Sequence, residues 1–473
     1  MTTPTISSDE WYDKYDEASV KQRYQMLLDI MAQPLSQDFL EEIEMDELLI
    51  SMSDELSSNN LIDEYLALIQ LVEQQQPKLY KKEFIYYDKF LIAYYLYTKQ
   101  HDLLEEALIR FKKYPAKDID YFLSVLDLLS FYDQSEIAVD LCQKSYNSVK
   151  NNSNVISGVE DELSWLIVTH AMEHFFDKHQ QKEEIDWSQF RQELHKYDYG
   201  KDTEWLEDIK YALTHEFDQE QFLSQFKQKK QHSRAFNALS IAFYIYMKQE
   251  KQMSFVCSQA IWEAIFEFLG DRELNVKQQA NPNTFFTFSQ KSLESYLTQK
   301  VYGFLSTRQA QGFAALWGIP YLYDFLVSHE IIREQIHRKV INITNQLKAD
   351  VLKAYQNNWE LWRYDFINRW QPDSNSEEST LGEQLQIFNN SFNYSEPLSD
   401  TPGEGKLQSF FTEMAEKIGI DFEKLKQESE NSDELPSQES EPKETAKQLT
   451  SKPIKSKKKK SNLGLAAQLY KKK

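Results

Sequence analysis

Glycine is scarce in this chain. The 473 residues include 11 glycines, about 2%, and six of them lie between Leu61 and Gln371; an average protein has about 7%. Glycine supplies the positive φ angles of tight hairpin turns, β-bulges and phosphate-binding loops. Its scarcity therefore argues against a β-sandwich and against a nucleotide-binding α/β enzyme, and none of the glycine-containing motifs for phosphate or a nucleophilic serine occurs.

Two segments of the chain contain charged residues of one sign only. Residues 24–77 contain twelve Asp or Glu and no Lys or Arg, whereas residues 447–473 contain ten Lys and no acid. The net charge of the chain is −22, and without residues 447–473 it is about −32, from 43 basic and 75 acidic residues. We expect such a body to repel nucleic acid and anionic membranes, so any contact with either falls to residues 447–473.

Cysteines and long apolar runs are also few. Cys142 and Cys257 are the two cysteines, and we interpret them as small buried hydrophobes because two residues so far apart are no disulfide framework. No apolar run approaches the roughly 20 residues of a membrane-spanning helix. The first twelve residues lack the basic and apolar segments of a signal peptide. These absences predict a cytoplasmic protein.

What the sequence does contain is large apolar residues at helical spacing. Between Lys82 and Gln100 such residues recur at three- and four-residue steps, which places them on one face of a helix. They are Phe84, Tyr87, Leu91, Tyr94 and Tyr95, and Thr98 continues the same spacing. Similar runs, separated by short polar breaks, continue to Trp370. Helices joined by short turns pack as antiparallel hairpins, so we predict an all-α helical-hairpin array over residues 61–371.

The composition changes on either side of this array. Residues 1–60 are acidic and are predicted to be partly helical. Residues 372–404 are rich in Ser, Asn, Glu and Pro, which is typical of a disordered linker. Apolar spacing predicts one short amphipathic helix over 405–430. Residues 431–473 are predicted to be a disordered tail that is first acidic and then lysine-rich.

Two segments 149 residues apart are similar to each other. Leu91–Gln100 and Ser240–Gln249 are identical at six of ten positions. A duplicated half would give this pattern, and so would the reuse of one hairpin along an array. In either case similar helices recur, which is typical of a solenoid.

The predicted hairpins resemble tetratricopeptide repeats. Ala107 and Ala138 stand where that family has the small residue of a second helix, Phe111 follows where it has a large apolar residue, and Tyr94 precedes Ala107 by the family's interval. The two alanines are 31 residues apart rather than 34. The resemblance implies a helical-repeat fold that binds a peptide or protein on a concave face.

Two features stand near the end of the array. Gly312–Pro320 is apolar and contains both Gly and Pro, which predicts a sharp, buried turn between helices. Farther on, four aromatic residues fall on one face of a predicted closing helix: Trp359, Trp362, Phe366 and Trp370. We expect this stripe to pack into the core; the alternative is an exposed aromatic binding surface.

One local pattern suggests metal chemistry. His170, Glu173 and His174 have the His-x-x-Glu-His spacing of inverzincin metallopeptidases. On a helix the two histidines share a face and could hold Zn²⁺, with Glu173 activating a water molecule. No third ligand is marked, and those enzymes contain glycine-bearing strands. We therefore expect these residues to be ordinary helix-surface or packing residues, with a zinc site as the alternative.

The lysine-rich tail is the most distinctive segment. Its candidate partner-binding residues are Lys457, Lys458, Lys459, Lys460, Leu463, Leu465, Leu469 and Tyr470. Three interpretations stay open: a solubilising end, a motif that docks on a protein, and a contact with phosphate or with nuclear-import factors. Pairing in cis with the acidic residues 24–77 is a further hypothesis, since a linker gives opposite charges a high effective concentration.

Taken together, these patterns predict a non-enzymatic adaptor or scaffold without a cofactor. Its helical-repeat surface and charged terminal arms would bind protein partners. The alternatives are a zinc-dependent hydrolase that uses His170, Glu173 and His174, and a protein that binds nucleic acid through its lysine-rich tail.

Overall fold

The structure is a computed structural model that describes residues 7–58, 61–199, 203–301, 307–355 and 359–373. Every regular element in these ranges is a helix and none is a strand, which confirms the all-α fold. No helix in the described ranges combines the length and the apolarity needed to cross a bilayer. The predicted helix at 405–430 and the tail at 431–473 lie outside the described residues, as does the predicted linker after residue 373.

The chain divides into two compact units between Leu61 and Ile62. The described part of the first unit contains α1 (Ser8–Asp16), α2 (Val20–Met31), α3 (Gln37–Glu42) and α4 (Met45–Ser58). Serine starts three of these helices, because the side-chain oxygens of Ser7, Ser19 and Ser36 accept hydrogen bonds from backbone N–H groups of the first turn. The acidic segment was predicted to be partly helical, and its described part contains four helices.

The second unit carries the remaining described helices. Its first half contains α5 (Ile62–Gln75), α6 (Pro77–Thr98), α7 (His101–Lys113), α8 (Ile119–Phe131), α9 (Ser135–Lys150), α10 (Val159–Gln180), α11 (Trp187–His195) and α12 (Thr203–Thr214). Its second half contains α13 (Gln219–Phe226), a 3-10 turn (Lys229–Gln231), α14 (His232–Lys251), α15 (Phe255–Gly270), α16 (Val276–Gln279), α17 (Pro282–Phe285), α18 (Gln290–Val301), α19 (Gln309–Ser328), α20 (Glu334–Tyr355), a 3-10 helix (Trp359–Tyr364) and α21 (Phe366–Arg369).

Short turns join the helices of the hairpins α6–α7, α8–α9 and α14–α15. Each turn contains a non-glycine residue in the left-handed region: Lys99 (φ 60°), Asp133 (φ 59°) and Gln252 (φ 57°). After Lys99, the N–H of Gln100 donates to the carbonyl oxygen of Tyr95 at 2.9 Å and closes the end of α6. This backbone conformation costs an L-residue about 1–2 kcal/mol. The chain thus makes tight turns between helices with non-glycine residues, at a cost in stability.

The two similar decapeptides occupy comparable helices but end differently. Leu91–Gln100 lies at the end of α6 and Ser240–Gln249 lies within α14. The chain turns at Lys99, whereas α14 continues past the equivalent Lys248 for about one further turn and reaches the left-handed region at Gln252. The similarity therefore covers the helix and does not extend to the turn.

The core of the second unit is built around α15 and α19. Helix α15 packs against α8, α10, α14 and α19, and α19 also contacts α18 and α20. Sixteen of the twenty residues of α19 are buried. A Cβ added at Gly318 would lie 2.6 Å from the Cγ2 of Ile261 in α15. Glycine at this position therefore lets the two central helices approach closely.

The turn predicted at Gly312–Pro320 is wrong, because the whole segment lies inside α19. Gly312 serves packing, since a Cβ there would lie 2.5 Å from the Cγ2 of Val301. Pro320 removes one backbone donor, but burial on nearly all sides stabilises the helix more than local propensity does. Glycine residues, which usually indicate a turn in a sequence, here lie where α19 closely approaches neighbouring helices.

The prediction of one closing helix after residue 358 is also wrong. The segment is the 3-10 helix Trp359–Tyr364 followed by the short helix α21. The predicted core packing is confirmed for Trp362, Phe366 and Trp370, which are all buried. The ring of Trp362 lies 5.4 Å from that of Phe90 in α6. Residues 359–373 are therefore held against the core by their aromatic side chains, although they do not form one continuous helix.

Candidate partner-binding groove

The His-x-x-Glu-His motif lies on α10. Glu173 is buried, and its carboxylate accepts hydrogen bonds from the Nζ of Lys248 and from the backbone N–H of Phe255 at 2.9 Å. Burial would lower the pKa of Lys248, but Glu173 holds it above its usual value. Phe255 is the first residue of α15, where an amide has no partner within its own helix. Glu173 thus joins three helices.

The two histidines of the motif have other surroundings. The Nε2 of His170 lies 3.0 Å from the Oε1 of Glu136 on α9, and His174 is exposed with its ring edge-on to Phe175 at 6.0 Å. Among the residues that the structure describes, no group of three or more His, Cys, Asp or Glu side chains is placed to hold a metal ion. The observed contacts of Glu173 are structural, and the zinc alternative stays a hypothesis.

A second polar cluster lies where α8, α10, α15 and the start of α19 meet. The guanidinium of Arg308 bonds Asp127 through two nitrogens, at 2.7 and 2.6 Å, and Glu162 at 2.9 Å. Burial would lower the pKa of Arg308, but these two carboxylates hold it well above its usual value. Burial also raises the pKa of the nearby Glu263 to about 7. The cavity here is only about 30 Å³, room for roughly one water molecule, so the cluster is a structural tie.

A groove of about 1190 Å³ is lined by residues of α10, α12, α13 and α14, by the loop 215–218 between α12 and α13, and by His329. It forms because α12 packs against both α10 and α14 while α13 packs against α14. Its volume exceeds the roughly 300–1,000 Å³ of a typical small-molecule site.

The floor of the groove is apolar. Trp165 of α10 and Trp205 of α12 are buried side by side, with ring centroids 6.2 Å apart. Along α14, the half-exposed residues Ala238, Ala242 and Ile245 recur at three- and four-residue steps and line the same groove. Because these three side chains are half-exposed, they offer apolar surface to a ligand in the groove.

The rim of the groove carries an excess of negative charge. Its carboxylates are Glu207, Asp208, Glu216, Asp218 and Glu250, and its cations are Lys210 and Arg234. Five negative and two positive groups leave three negative charges in excess when histidine is neutral. Arg234 is already paired with Asp208 and lies 3.5 Å from Glu204. The rim thus favours a positively charged ligand.

An exposed aromatic pair stands on the same rim. The ring of Tyr211 stacks on that of His215 with centroids 4.2 Å apart, and Tyr211 is 48% exposed. Rigid aromatic side chains at a surface supply contact area at low cost in conformational entropy. This pair offers a ligand a flat apolar contact beside the carboxylates.

Sequence reasoning did not identify this groove. Its residues come from four helices between Trp165 and Glu250, from the loop 215–218 and from His329, and neither their spacing nor their type is unusual within any one of these segments. The predicted partner-binding residues, lysines 457–460 with Leu463, Leu465, Leu469 and Tyr470, lie outside the described residues.

Compared with known proteins, the chain matches no family model, no curated protein and no solved structure.

Proposed function

We propose that this protein is a non-enzymatic adaptor or scaffold that binds a segment of a protein partner in the groove between α12 and α14. The observation that carries this proposal is an apolar floor beneath a rim with three excess negative charges. Apolar anchors would supply affinity and the rim would select the sign of the ligand's charge. The proposed ligand is therefore a peptide or helix with apolar residues between lysines or arginines, and binding it requires no cofactor.

The architecture proposed for the second unit is an array of tetratricopeptide-like hairpins. The shared left-handed turns of α6–α7, α8–α9 and α14–α15 support it. Ala107 and Ala138, the small residues of the resemblance, are buried on α7 and α9, the second helix of their hairpins. A cytoplasmic location is part of the same proposal, supported by two free and buried thiols, Cys142 and Cys257.

Selection from a displayed peptide library tests the proposed binding. The full chain serves as bait, beside a variant in which Ala242→Arg fills the groove with a long cationic side chain. A matched control, Ser148→Arg, places the same side chain at an exposed position of α9 outside the groove. We expect the wild type and Ser148→Arg to enrich basic peptides with apolar anchors, and Ala242→Arg to lose them.

The alternative outcomes are distinct. Peptides that bind all three proteins equally would place the binding surface elsewhere, and enrichment of acidic peptides would contradict the assigned charge of the rim. Circular dichroism and thermal unfolding of Ala242→Arg show whether the variant keeps its fold, so lost binding can be separated from unfolding.

A further inference from the structure

We infer that the lysine-rich end of this chain, residues 455–473, docks in cis in the groove between α12 and α14. The inference rests on the proposed function, since it takes the groove to be a peptide site and names one ligand for it. Such docking would make the protein self-inhibited, because a partner segment would have to displace the chain's own end.

Charge complementarity is the first argument. Residues 455–473 contain eight lysines and no acid, whereas the groove rim has five carboxylates and two cations. Opposite charges within roughly 8–10 Å attract at physiological salt. The tail therefore carries the positive charge that the rim carboxylates would attract.

The second argument is the apolar pattern between the lysine clusters. Leu465 and Leu469 are four residues apart in the sequence, so in a helix they would share one face, with Tyr470 next to Leu469. A helix over 462–470 would be about 14 Å long and would place lysines near both of its ends. Basic residues around apolar anchors are the features that an apolar floor with an acidic rim selects.

Chain length does not limit the contact. Ninety residues separate Asp373, the last described residue, from Leu463, a contour of about 300 Å at 3.3 Å per residue. A folded unit of about 310 residues has a radius of gyration of about 20 Å. The segment can therefore reach the groove, and covalent linkage gives it an effective concentration there that lies below the millimolar range of short linkers, because it falls as the linker lengthens.

The acidic residues 24–77 are the competing site for the same lysines. Their charge would attract the tail, and although Leu49, Met52 and Leu68 are buried, other apolar residues of that stretch, such as Leu48, Ile50 and Leu66, are half-exposed. In the groove, by contrast, half-exposed apolar residues line a concave volume of about 1190 Å³ that also carries carboxylates. We therefore favour the groove, which could enclose Leu465 and Leu469 beside carboxylates that pair with the lysines.

Zero-length carbodiimide crosslinking of the full chain, read by mass spectrometry, tests the inference because it joins a lysine amine to a carboxylate in direct contact. We expect links from the lysines at 455–460 and 471–473 to Glu207, Glu216 and Glu250. These links should fall at least fivefold in Ala242→Arg and in the double variant Leu465→Asp/Leu469→Asp, and should persist in Ser148→Arg. The Asp variant changes the tail alone, so its effect does not depend on folding of the groove.

Three outcomes would overturn the inference: links mainly to carboxylates of residues 24–77, links without preference, and links between differently isotope-labelled copies in a mixed sample. Its failure is separable from that of the proposed function. Peptides selected on the groove should bind Leu465→Asp/Leu469→Asp at least tenfold more tightly than the wild type. If the selected peptides bind the double variant and the wild type with equal affinity, self-docking is rejected and the peptide-binding proposal is unaffected. If crosslinks to the groove form but no peptide is selected, self-docking is supported and binding of a partner peptide is not.

Discussion

The guanidinium of Arg308 donates two hydrogen bonds, of 2.7 and 2.6 Å, to the carboxylate of Asp127, which lies 181 residues earlier in the chain. A third bond, of 2.9 Å, reaches Glu162 on α10. Arg308 immediately precedes α19, and Asp127 lies on α8. One side chain thus fastens the start of the central helix to two helices from the first half of the second unit.

Removing this cation should destabilise the protein strongly. In Arg308→Met the carboxylates of Asp127 and Glu162 would stay close together without their shared partner. Breaking a buried pair by removing one member typically costs 3–5 kcal/mol; because the side chain of Arg308 is 23% exposed, we expect about 3 kcal/mol from urea unfolding. The control is Arg338→Met, which removes an exposed pair with Glu334 on α20 and should cost less than about 0.5 kcal/mol. Equal losses in the two variants would contradict a structural role for Arg308.

Lys348 should make stability depend on pH. It is fully buried on α20, with its Nζ 5.7 Å from the ring centroid of Trp317. Burial lowers its pKa to about 7, although the charge of Asp324 opposes the shift. Between pH 7 and 10 the unfolded chain therefore binds a proton at Lys348 that the folded chain lacks, so stability rises with pH in this window, by up to about 1.4 kcal/mol per pH unit.

The variant Lys348→Met should lose this rise. Urea unfolding at pH 7.5, 8.5 and 9.5 measures it, and Lys339→Met, at an exposed position of the same helix, should retain the slope of the wild type. A slope shared by all three proteins would show that other groups cause the pH dependence.

Much of the fold could be predicted because helical periodicity and scarce glycine are properties of the chain itself. Of the face predicted on α6, Phe84, Tyr87 and Leu91 are buried as expected, whereas Tyr94, Tyr95 and Thr98 are half-buried. The errors arose where tertiary packing overrides local signals. Gly318 and Pro320 usually break a helix, yet they lie in α19, where Gly318 allows contact with Ile261.

The site was less predictable because it is made of distant residues. Glu173 was singled out for its spacing from His170, but its partners are Lys248 and the amide of Phe255. Those contacts depend on how α10, α14 and α15 meet, which no local pattern encodes. The groove likewise brings Trp165 together with residues more than seventy positions later.

Glycine at the turn after α14 should stabilise the protein. Gln252 has φ 57°, a conformation that costs an L-residue about 1–2 kcal/mol, whereas glycine adopts it freely at a cost of roughly 0.5–1 kcal/mol in the unfolded chain. We expect Gln252→Gly to raise the free energy of unfolding by about 0.5 kcal/mol. The matched control, Gln249→Gly, lies within α14 at an exposed position and should lower it by about 0.7 kcal/mol. A loss in both variants would show that the left-handed residue carries no strain.

Variants of Glu173 and of the two histidines distinguish a structural role of Glu173 from a catalytic one. Glu173→Gln keeps an oxygen for the amide of Phe255 but loses the charge that pairs with Lys248, so we expect a loss of about 2 kcal/mol in urea unfolding. The double variant His170→Ala/His174→Ala should change stability by less than about 0.5 kcal/mol, because His170 contacts an exposed Glu136. Elemental analysis of the same samples should find no bound metal. Stoichiometric zinc that disappears in the double variant would instead assign Glu173 to a metal-activated water and support the hydrolase.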